Sequence, residues 1–105
     1  MKTLLLITTA LEHKEDAERI ATLLLERRLI ACAQISPPIT SMYHWRGELT
    51  TANELILSLK TLPKNYPLVE EVLREEHPYE IPEIIAQEIG FVSDSYHQWV
   101  LREVV

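Results

Sequence analysis

The sequence predicts an α+β fold with one antiparallel sheet, and three observations lead to it. Strand-like and helix-like patterns follow one another in the order strand, helix, strand, strand, helix, strand, helix. The composition, with 47% hydrophobic and 25% charged residues, is that of an ordinary globular protein. The chain has 105 residues and contains no linker, repeat or low-complexity tract, so we expect residues 1–105 to form a single domain.

The first two elements are a buried strand and an amphipathic helix. Leu4 to Ala10 is an apolar run without a polar face, which predicts a central strand covered on both sides. From Glu15 to Arg28, apolar residues recur at helical spacing, with acidic residues in the first turn and two arginines in the last. Because the helix dipole favours this placement of charge, we predict a helix over these residues.

A long β-hairpin comes next. Ile30 to Ser36 has the pattern of a strand, and Pro37-Pro38 then removes two hydrogen-bond donors, which predicts a bend in the strand rather than its end. Residues 39–46 alternate at period two, and the turn residue Gly47 follows, so we predict a hairpin turn at Arg46-Gly47-Glu48. The returning strand closes on the core through leucines that share one face, namely Leu55, Leu57 and Leu59.

The second half of the chain adds a helix, a strand and a closing helix. Pro63 suits the first turn of a helix, and His77-Pro78 ends that helix because the residue before a proline disfavours helical backbone angles. Residues 84–89 predict the last strand, and Ser93-Asp94 predicts the cap of the closing helix. The first six elements form the split βαβ, or ferredoxin-like, sandwich with two helices on one face of the sheet, and the C-terminal helix is an addition.

Charge and cysteine content exclude several classes of partner. Sixteen acidic against ten basic residues give a net charge of −6, which opposes binding to nucleic acid or to an anionic membrane surface. No apolar stretch is long enough to span a membrane, and no cleavage site follows the apolar N-terminus. The single cysteine, Cys32, cannot form an internal disulfide. We therefore expect a cytoplasmic protein without nucleic-acid or membrane partners.

The length of the hairpin predicts a homo-oligomer. Ala31 to Arg46 would reach about 50 Å if fully extended, whereas a compact domain of this size has a radius of gyration of about 13 Å. The far end, with Tyr43 and Trp45 on one face and Met42 and His44 on the other, must therefore project. Another copy of the chain is the simplest cover for it. The alternative is a hairpin that folds back at the two prolines over its own sheet.

The segment from His77 to Glu83 holds an imidazole, a phenol and two carboxylates, stiffened by two prolines. Rigidity of this kind lowers the entropy cost of holding a ligand. The alternative is that His77 and the prolines only end a helix and begin a strand. The four histidines show no ligand spacing, and Cys32 between two alanines is typical of a small buried side chain. Without a P-loop, GxGxxG, HExxH or GxSxG motif, we predict no enzyme.

Five segments give the chain a resemblance to the CutA family of divalent-cation tolerance proteins. They are Ala31-Cys32-Ala33, Ser41 to Gly47, Leu59-Lys60-Thr61, His77 to Ile84, and Tyr96 to Trp99. The resemblance implies a trimer similar to the PII signalling proteins and a link to tolerance of copper and other divalent metals. In metal-binding members it places ligands at a cysteine near the end of the first strand and at a His-His pair. Those positions correspond here to Thr8, Glu76 and His77, which leaves only His77 as a metal ligand.

From these observations we predict a trimeric binding and signalling module with clefts between subunits. Tyr43 and Trp45 from one chain, and His77, Tyr79 and Glu83 from the same or a neighbouring chain, would form the ligand-binding cleft. The ligand would be a divalent metal, copper or zinc, held by His77, or a small anion, and no cofactor is obligatory. Two alternatives stay open, namely a small acylphosphatase-like hydrolase on the same fold and a trimer that only anchors other proteins.

Overall fold

The computed structural model describes residues 2–105, which form five strands and three α-helices. The elements are β1 (Leu4–Leu11), α1 (Lys14–Glu26), β2 (Cys32–Ile35), β3 (Ile39–Trp45), β4 (Glu48–Thr61), α2 (Tyr66–Glu76), β5 (Ile85–Ile89) and α3 (Asp94–Glu103). This confirms the mixed α+β class and the predicted order of elements. None of the helices formed by residues 2–105 has the length and apolarity needed to cross a membrane.

The sheet has the order β2-β4-β1-β5, and every neighbouring pair is antiparallel. Strand β4 is 14 residues long and pairs with β2 along one half and with β3 along the other. The prediction of one bent strand is thus only partly right, because β2 ends at Ile35 before the two prolines and a separate strand, β3, continues along β4 from Ile39. At the bend, the Ile56 amide donates to the Ser36 hydroxyl at 2.8 Å, so a side chain replaces one bond of the ladder.

Helices α1 and α2 pack on one face of the sheet. Alternate residues of β1 and β4, together with one apolar stripe from each helix, form the main core, which includes Ile7, Ile20, Leu24, Leu57, Leu59 and Leu73. A second cluster lies under α3, where Val100 packs with Leu4 and Leu62. On the remaining sheet face, Leu6 and Thr8 are only half-buried. The predicted central position of β1 is confirmed, since it lies between β4 and β5, but its second face is fully buried only at Leu4 and Ala10 in a single chain.

Helix α1 ends at Glu26, two residues before the predicted end. The Leu29 amide donates to the carbonyl of Leu24, and the Arg28 amide donates to that of Leu25. This is the Schellman arrangement, and it places Arg28 in the left-handed region at φ 55°. The two arginines therefore follow the helix instead of forming its last turn.

The start of the second helix also differs from the prediction. Pro63 begins a short 3₁₀ turn, Pro63–Asn65, and α2 starts only at Tyr66. The prediction for the closing helix is confirmed, because the Ser93 hydroxyl accepts a hydrogen bond from the Tyr96 amide at its first turn.

The hairpin formed by β3 and β4 projects from the sandwich. The molecule measures 45 × 26 × 24 Å, and β3 is exposed along nearly its whole length. The alternative in which the hairpin folds back over its own sheet is therefore wrong. Strand β4 supplies both the buried leucine face of the sheet and, further from the core, one side of the projecting arm.

Candidate functional site

The turn at the hairpin tip sets the register of the candidate site. Trp45 pairs with Glu48, and the two residues between them, Arg46 and Gly47, both have positive φ, at 51° and 80°. This is the type I′ turn whose twist matches that of the flanking strands. Below the turn, Tyr43 pairs with Thr50, two residues from Trp45. Tyr43 and Trp45 therefore lie on the same face of the hairpin.

The segment after α2 lies against this side of the hairpin because His77 holds its first turn. His77 ends α2 in an extended conformation and is only 6% exposed. Its Nε2 lies 2.9 Å from the carbonyl oxygen of Ala10, and its Nδ1 accepts a hydrogen bond from the Tyr79 amide at 3.1 Å. The ring is thus a neutral tautomer with the proton on Nε2. Burial lowers the pKa of His77, and this outweighs the Ala10 hydrogen bond and the nearby Glu54 charge.

Two polar contacts hold residues 79–83 to the hairpin. At the base of the arm, the Tyr79 hydroxyl donates to Glu54 Oε2 at 2.7 Å. At the tip, Arg46 donates to Glu80 Oε2 at 3.1 Å while its guanidinium lies 5.5 Å from the centre of the Trp45 ring. Burial raises the pKa of Tyr79, and the hydrogen bond to Glu54 and its charge raise it further. The Tyr79 phenol therefore stays protonated and acts as a donor.

Between these contacts lies an open groove with a volume of about 730 Å³. Its aromatic walls are Tyr43, Trp45 and Tyr79. Its carboxylates are those of Glu12, Glu54, Glu80 and Glu83. A groove with apolar walls and a few charged groups is the usual form of a small-molecule site. All of these residues belong to one chain.

The structure brings together four of the five residues predicted to form the cleft. Tyr43, Trp45, Tyr79 and Glu83 line the groove, whereas His77 lies behind it. Within one chain, these four residues border the same groove. His77 positions Tyr79 in two ways. Its Nδ1 accepts a hydrogen bond from the Tyr79 amide, and the two rings pack edge to face with their centres 4.7 Å apart.

Sequence reasoning missed Glu54, Glu12 and Arg46 as residues of the site. Glu54 is only 7% exposed, although strand alternation places it on the face opposite the buried Leu55, where a glutamate is expected to face solvent. Nothing local indicates that a segment 25 positions later covers it.

Nearly the whole chain matches one known protein family. The profile of the CutA1 divalent ion tolerance protein family matches residues 5–103. The chain belongs to this family. The resemblance drawn from the five sequence segments is thereby confirmed.

Individual relatives agree with the family match. The divalent-cation tolerance protein CutA of Thermus thermophilus is 42% identical over 103 residues, which cover 98% of this chain and 97% of that protein. Human protein CutA is 37% identical over 88 residues, which cover 84% of this chain and 49% of the human protein. The chain thus spans about half the length of its human and mouse relatives.

Solved structures share the fold. The divalent cation tolerance protein of Thermus thermophilus superposes with a TM-score of 0.92 at 34% identity, covering 97% of this chain and 99% of that one. A CutA from Archaeoglobus fulgidus, described as a periplasmic divalent cation tolerance protein, gives 0.93 at 31% identity, with the same coverage. These similarities agree with the antiparallel sheet and three helices of this chain.

The side chains at the positions that the resemblance assigns to metal ligands do not fit a copper or zinc centre. Both ring nitrogens of His77 are used by backbone groups. The Glu76 carboxylate is bound by Arg19 at 2.7 Å, on the helical side of the molecule. Thr8 pairs with Ser58 and Ile85 in the middle of the sheet. Across residues 2–105, no three His, Cys, Asp or Glu side chains converge on a point that could hold a metal ion.

Cys32 lies at the opposite end of the sheet from the groove. Cys32 is half-buried, and it lies opposite Lys60 in the ladder between β2 and β4. Its thiol lies close to the hydroxyl of Tyr96 on α3. Burial and the neighbouring thiol raise the pKa of Tyr96. This environment agrees with the packing role expected for Cys32.

Proposed function

We propose that this protein is a non-enzymatic, trimeric binding and signalling module of the divalent-cation response, with a ferredoxin-like fold similar to that of the PII signalling proteins. Three copies pack their hairpins around a closed symmetry axis, so that each groove lies at a boundary between subunits. Membership of the divalent ion tolerance family supports the link to divalent cations. We propose the cytoplasm as its location.

The observation that best supports this proposal is the exposure of apolar side chains on the projecting hairpin. Met42 and Leu49 are 68% and 69% exposed, and Trp45 remains 39% exposed even with Arg46 beside it. A two-stranded ribbon is marginally stable alone in water, and contiguous apolar surface usually marks an interface. The partly open face of the sheet around Leu6 offers further surface for a neighbouring copy.

A charge placed on the hairpin tests the trimer. Burying a leucine side chain at an interface contributes about 1.5–3 kcal/mol, and a carboxylate in its place adds a desolvation cost. We expect Leu49→Glu to dissociate the protein into single chains, as measured by light scattering after size-exclusion chromatography. Leu68→Glu is the matched control, because Leu68 is 50% exposed on α2, away from the hairpin.

The result that would contradict this proposal is equally specific. A wild-type protein with the mass of one chain would contradict the proposed trimer. It would also contradict the proposal that the groove lies at a boundary between subunits. Loss of the trimer in Leu68→Glu but not in Leu49→Glu would assign the interface to the helical face instead.

The sequence-based prediction that His77 is a metal ligand has its own test. Copper or zinc bound by His77 would require one of its two backbone hydrogen bonds to break. We therefore expect calorimetric titrations at neutral pH to give the same copper and zinc affinities for the wild type and for His77→Ala. His13→Ala, at an exposed histidine, is the control. A loss of affinity confined to His77→Ala would establish the imidazole as a metal ligand.

A further inference from the structure

Glu54 is a buried acid without a basic partner. Its side chain is only 7% exposed and borders the groove. Its one hydrogen bond is the 2.7 Å contact from the Tyr79 hydroxyl, and no Lys, Arg or His among residues 2–105 forms an ion pair with it. Buried carboxylates are nearly always paired with a cation. The groove therefore provides an unmatched negative charge at its base.

The other charges of the groove have the same sign. Glu12, Glu80 and Glu83 also line it, and the Glu12 charge is close enough to Tyr79 to raise its pKa. Among residues 2–105, the one ion pair that involves a groove carboxylate is that of Arg46 with Glu80. The three remaining carboxylates, of Glu12, Glu54 and Glu83, disfavour an anionic ligand.

The protein's own Arg46 illustrates what the walls recognise. Its guanidinium lies over the Trp45 ring and contacts a carboxylate of the opposite wall, Glu80. Aromatic rings attract cations through their electron-rich faces, and carboxylates supply charge-assisted hydrogen bonds. At the base, Tyr43, Tyr79 and Glu54 repeat this combination, and no basic side chain of residues 2–105 is among the groove-lining residues there.

The shape of the groove favours an extended ligand. Glu54 lies opposite Ile39 and Trp45 lies six residues further along β3, so the base and the tip are about 20 Å apart at about 3.3 Å per residue. Apolar groups, including Ala52, Ile81 and Pro82, lie between the acidic positions. A divalent metal ion needs convergent oxygen ligands, which this spacing does not supply.

We infer that the groove binds a linear aliphatic polyamine, with one ammonium group at Glu54 and its methylene chain along the aromatic and apolar wall. The inference rests on the proposal above that the groove is the ligand site. It also gives Glu54 the cation that residues 2–105 do not provide. The acidic residues further along the wall, among them Glu83, would receive the remaining ammonium groups.

The test is a calorimetric titration of the full-length oligomer with spermidine at physiological ionic strength, where weak surface attraction is screened. Butane-1,4-diol is the neutral probe, adipate the anionic probe, and magnesium the inorganic cation. We expect spermidine to bind at least tenfold more tightly than each of these. Because a charge-assisted hydrogen bond is lost, Glu54→Gln should weaken spermidine binding by about tenfold or more.

Two further variants keep the test decisive. Glu12→Gln removes an exposed groove charge while leaving the Tyr79–Glu54 hydrogen bond in place, and should weaken spermidine binding even if Glu54→Gln folds poorly. Glu71→Gln makes the same charge change on the exposed side of α2, and should leave the affinity unchanged. Equal loss in Glu71→Gln would indicate non-specific attraction and would overturn the inference.

The outcomes also separate this inference from the proposed function. A trimer that binds adipate or magnesium in the groove as tightly as spermidine overturns the polyamine and keeps the groove. A trimer that binds spermidine equally well in Glu54→Gln overturns the inferred contact between an ammonium group and Glu54. A trimer that binds none of the probes overturns the inference as well. A measured mass of one chain contradicts the proposed function itself, because that function requires a trimer.

Discussion

Replacement of Tyr79 by phenylalanine tests the contact that closes the base of the groove. The variant Tyr79→Phe removes one oxygen atom, which donates to Glu54 Oε2 at 2.7 Å, and leaves the ring in place. A hydrogen bond to a charged group contributes about 1.5–3 kcal/mol, and a buried acceptor left without a donor costs the most. Because Glu54 is 7% exposed, we expect a loss near the upper end, about 2–3 kcal/mol in the free energy of unfolding.

Tyr66→Phe provides the matched control. The Tyr66 hydroxyl also donates to a glutamate, Glu70, but at 3.2 Å and one helical turn away on a partly exposed surface. Pairs of this kind contribute about 0.2–0.5 kcal/mol. In urea, with a slope of about 2 kcal/mol per M, Tyr79→Phe should lower the midpoint by about 1 M, several times more than the control. All variants are compared at one protein concentration, because the stability of an oligomer depends on it.

A double-mutant cycle identifies the cause of the loss. In a Glu54→Gln background the acceptor is neutral, so Tyr79→Phe should cost only about 0.5–1.5 kcal/mol. If Tyr79→Phe costs no more than Tyr66→Phe, or costs the same with and without the Glu54 charge, the contact does not hold the segment to the hairpin and this reasoning is refuted.

Three further changes test the backbone and the buried histidine. Burial lowers the pKa of His77 below its ordinary 6.5, so the unfolded chain takes up a proton first. Stability should be complete above pH 6.5 and decline as the pH falls through the lowered pKa, and His77→Gln should reduce this decline in acid denaturation curves. Gly47→Ala, at φ 80°, should cost about 1 kcal/mol in urea unfolding, whereas Gly90→Ala, which has no positive φ, should change stability by less than about 0.5 kcal/mol. Ser36→Ala should cost about 1 kcal/mol, measured the same way, because the Ile56 amide loses its acceptor. An unchanged stability would show that the Ser36 hydroxyl does not replace a hydrogen bond of the ladder.

Much of the fold was predictable because its signals are local. The alternation in residues 39–46, the turn residue Gly47 and the stop at His77-Pro78 each depend on a few neighbouring residues, and the structure confirms all three. The end of α1 was predicted less well. Its Schellman motif uses Arg28 in a left-handed conformation where glycine is the usual signal, so the sequence pattern predicts a longer helix.

The site was predictable only in part, because its geometry depends on contacts between distant segments. Tyr43, Trp45, Tyr79 and Glu83 attract attention by residue type and by rigid neighbours. The role of His77 was less accessible, because an imidazole that ends a helix and an imidazole that binds a metal have the same local sequence. Burial of Glu54 follows from the crossing of the hairpin by residues 79–83, and no pattern within β4 encodes that crossing.

Sedimentation equilibrium of the wild-type protein over a wide range of dilution tests the proposed assembly most directly. One chain has a mass of 12.2 kDa, and a projecting hairpin sheltered by its neighbours predicts particles of three chains that persist on dilution. A single-chain mass at every concentration, with the hairpin still folded, would contradict it.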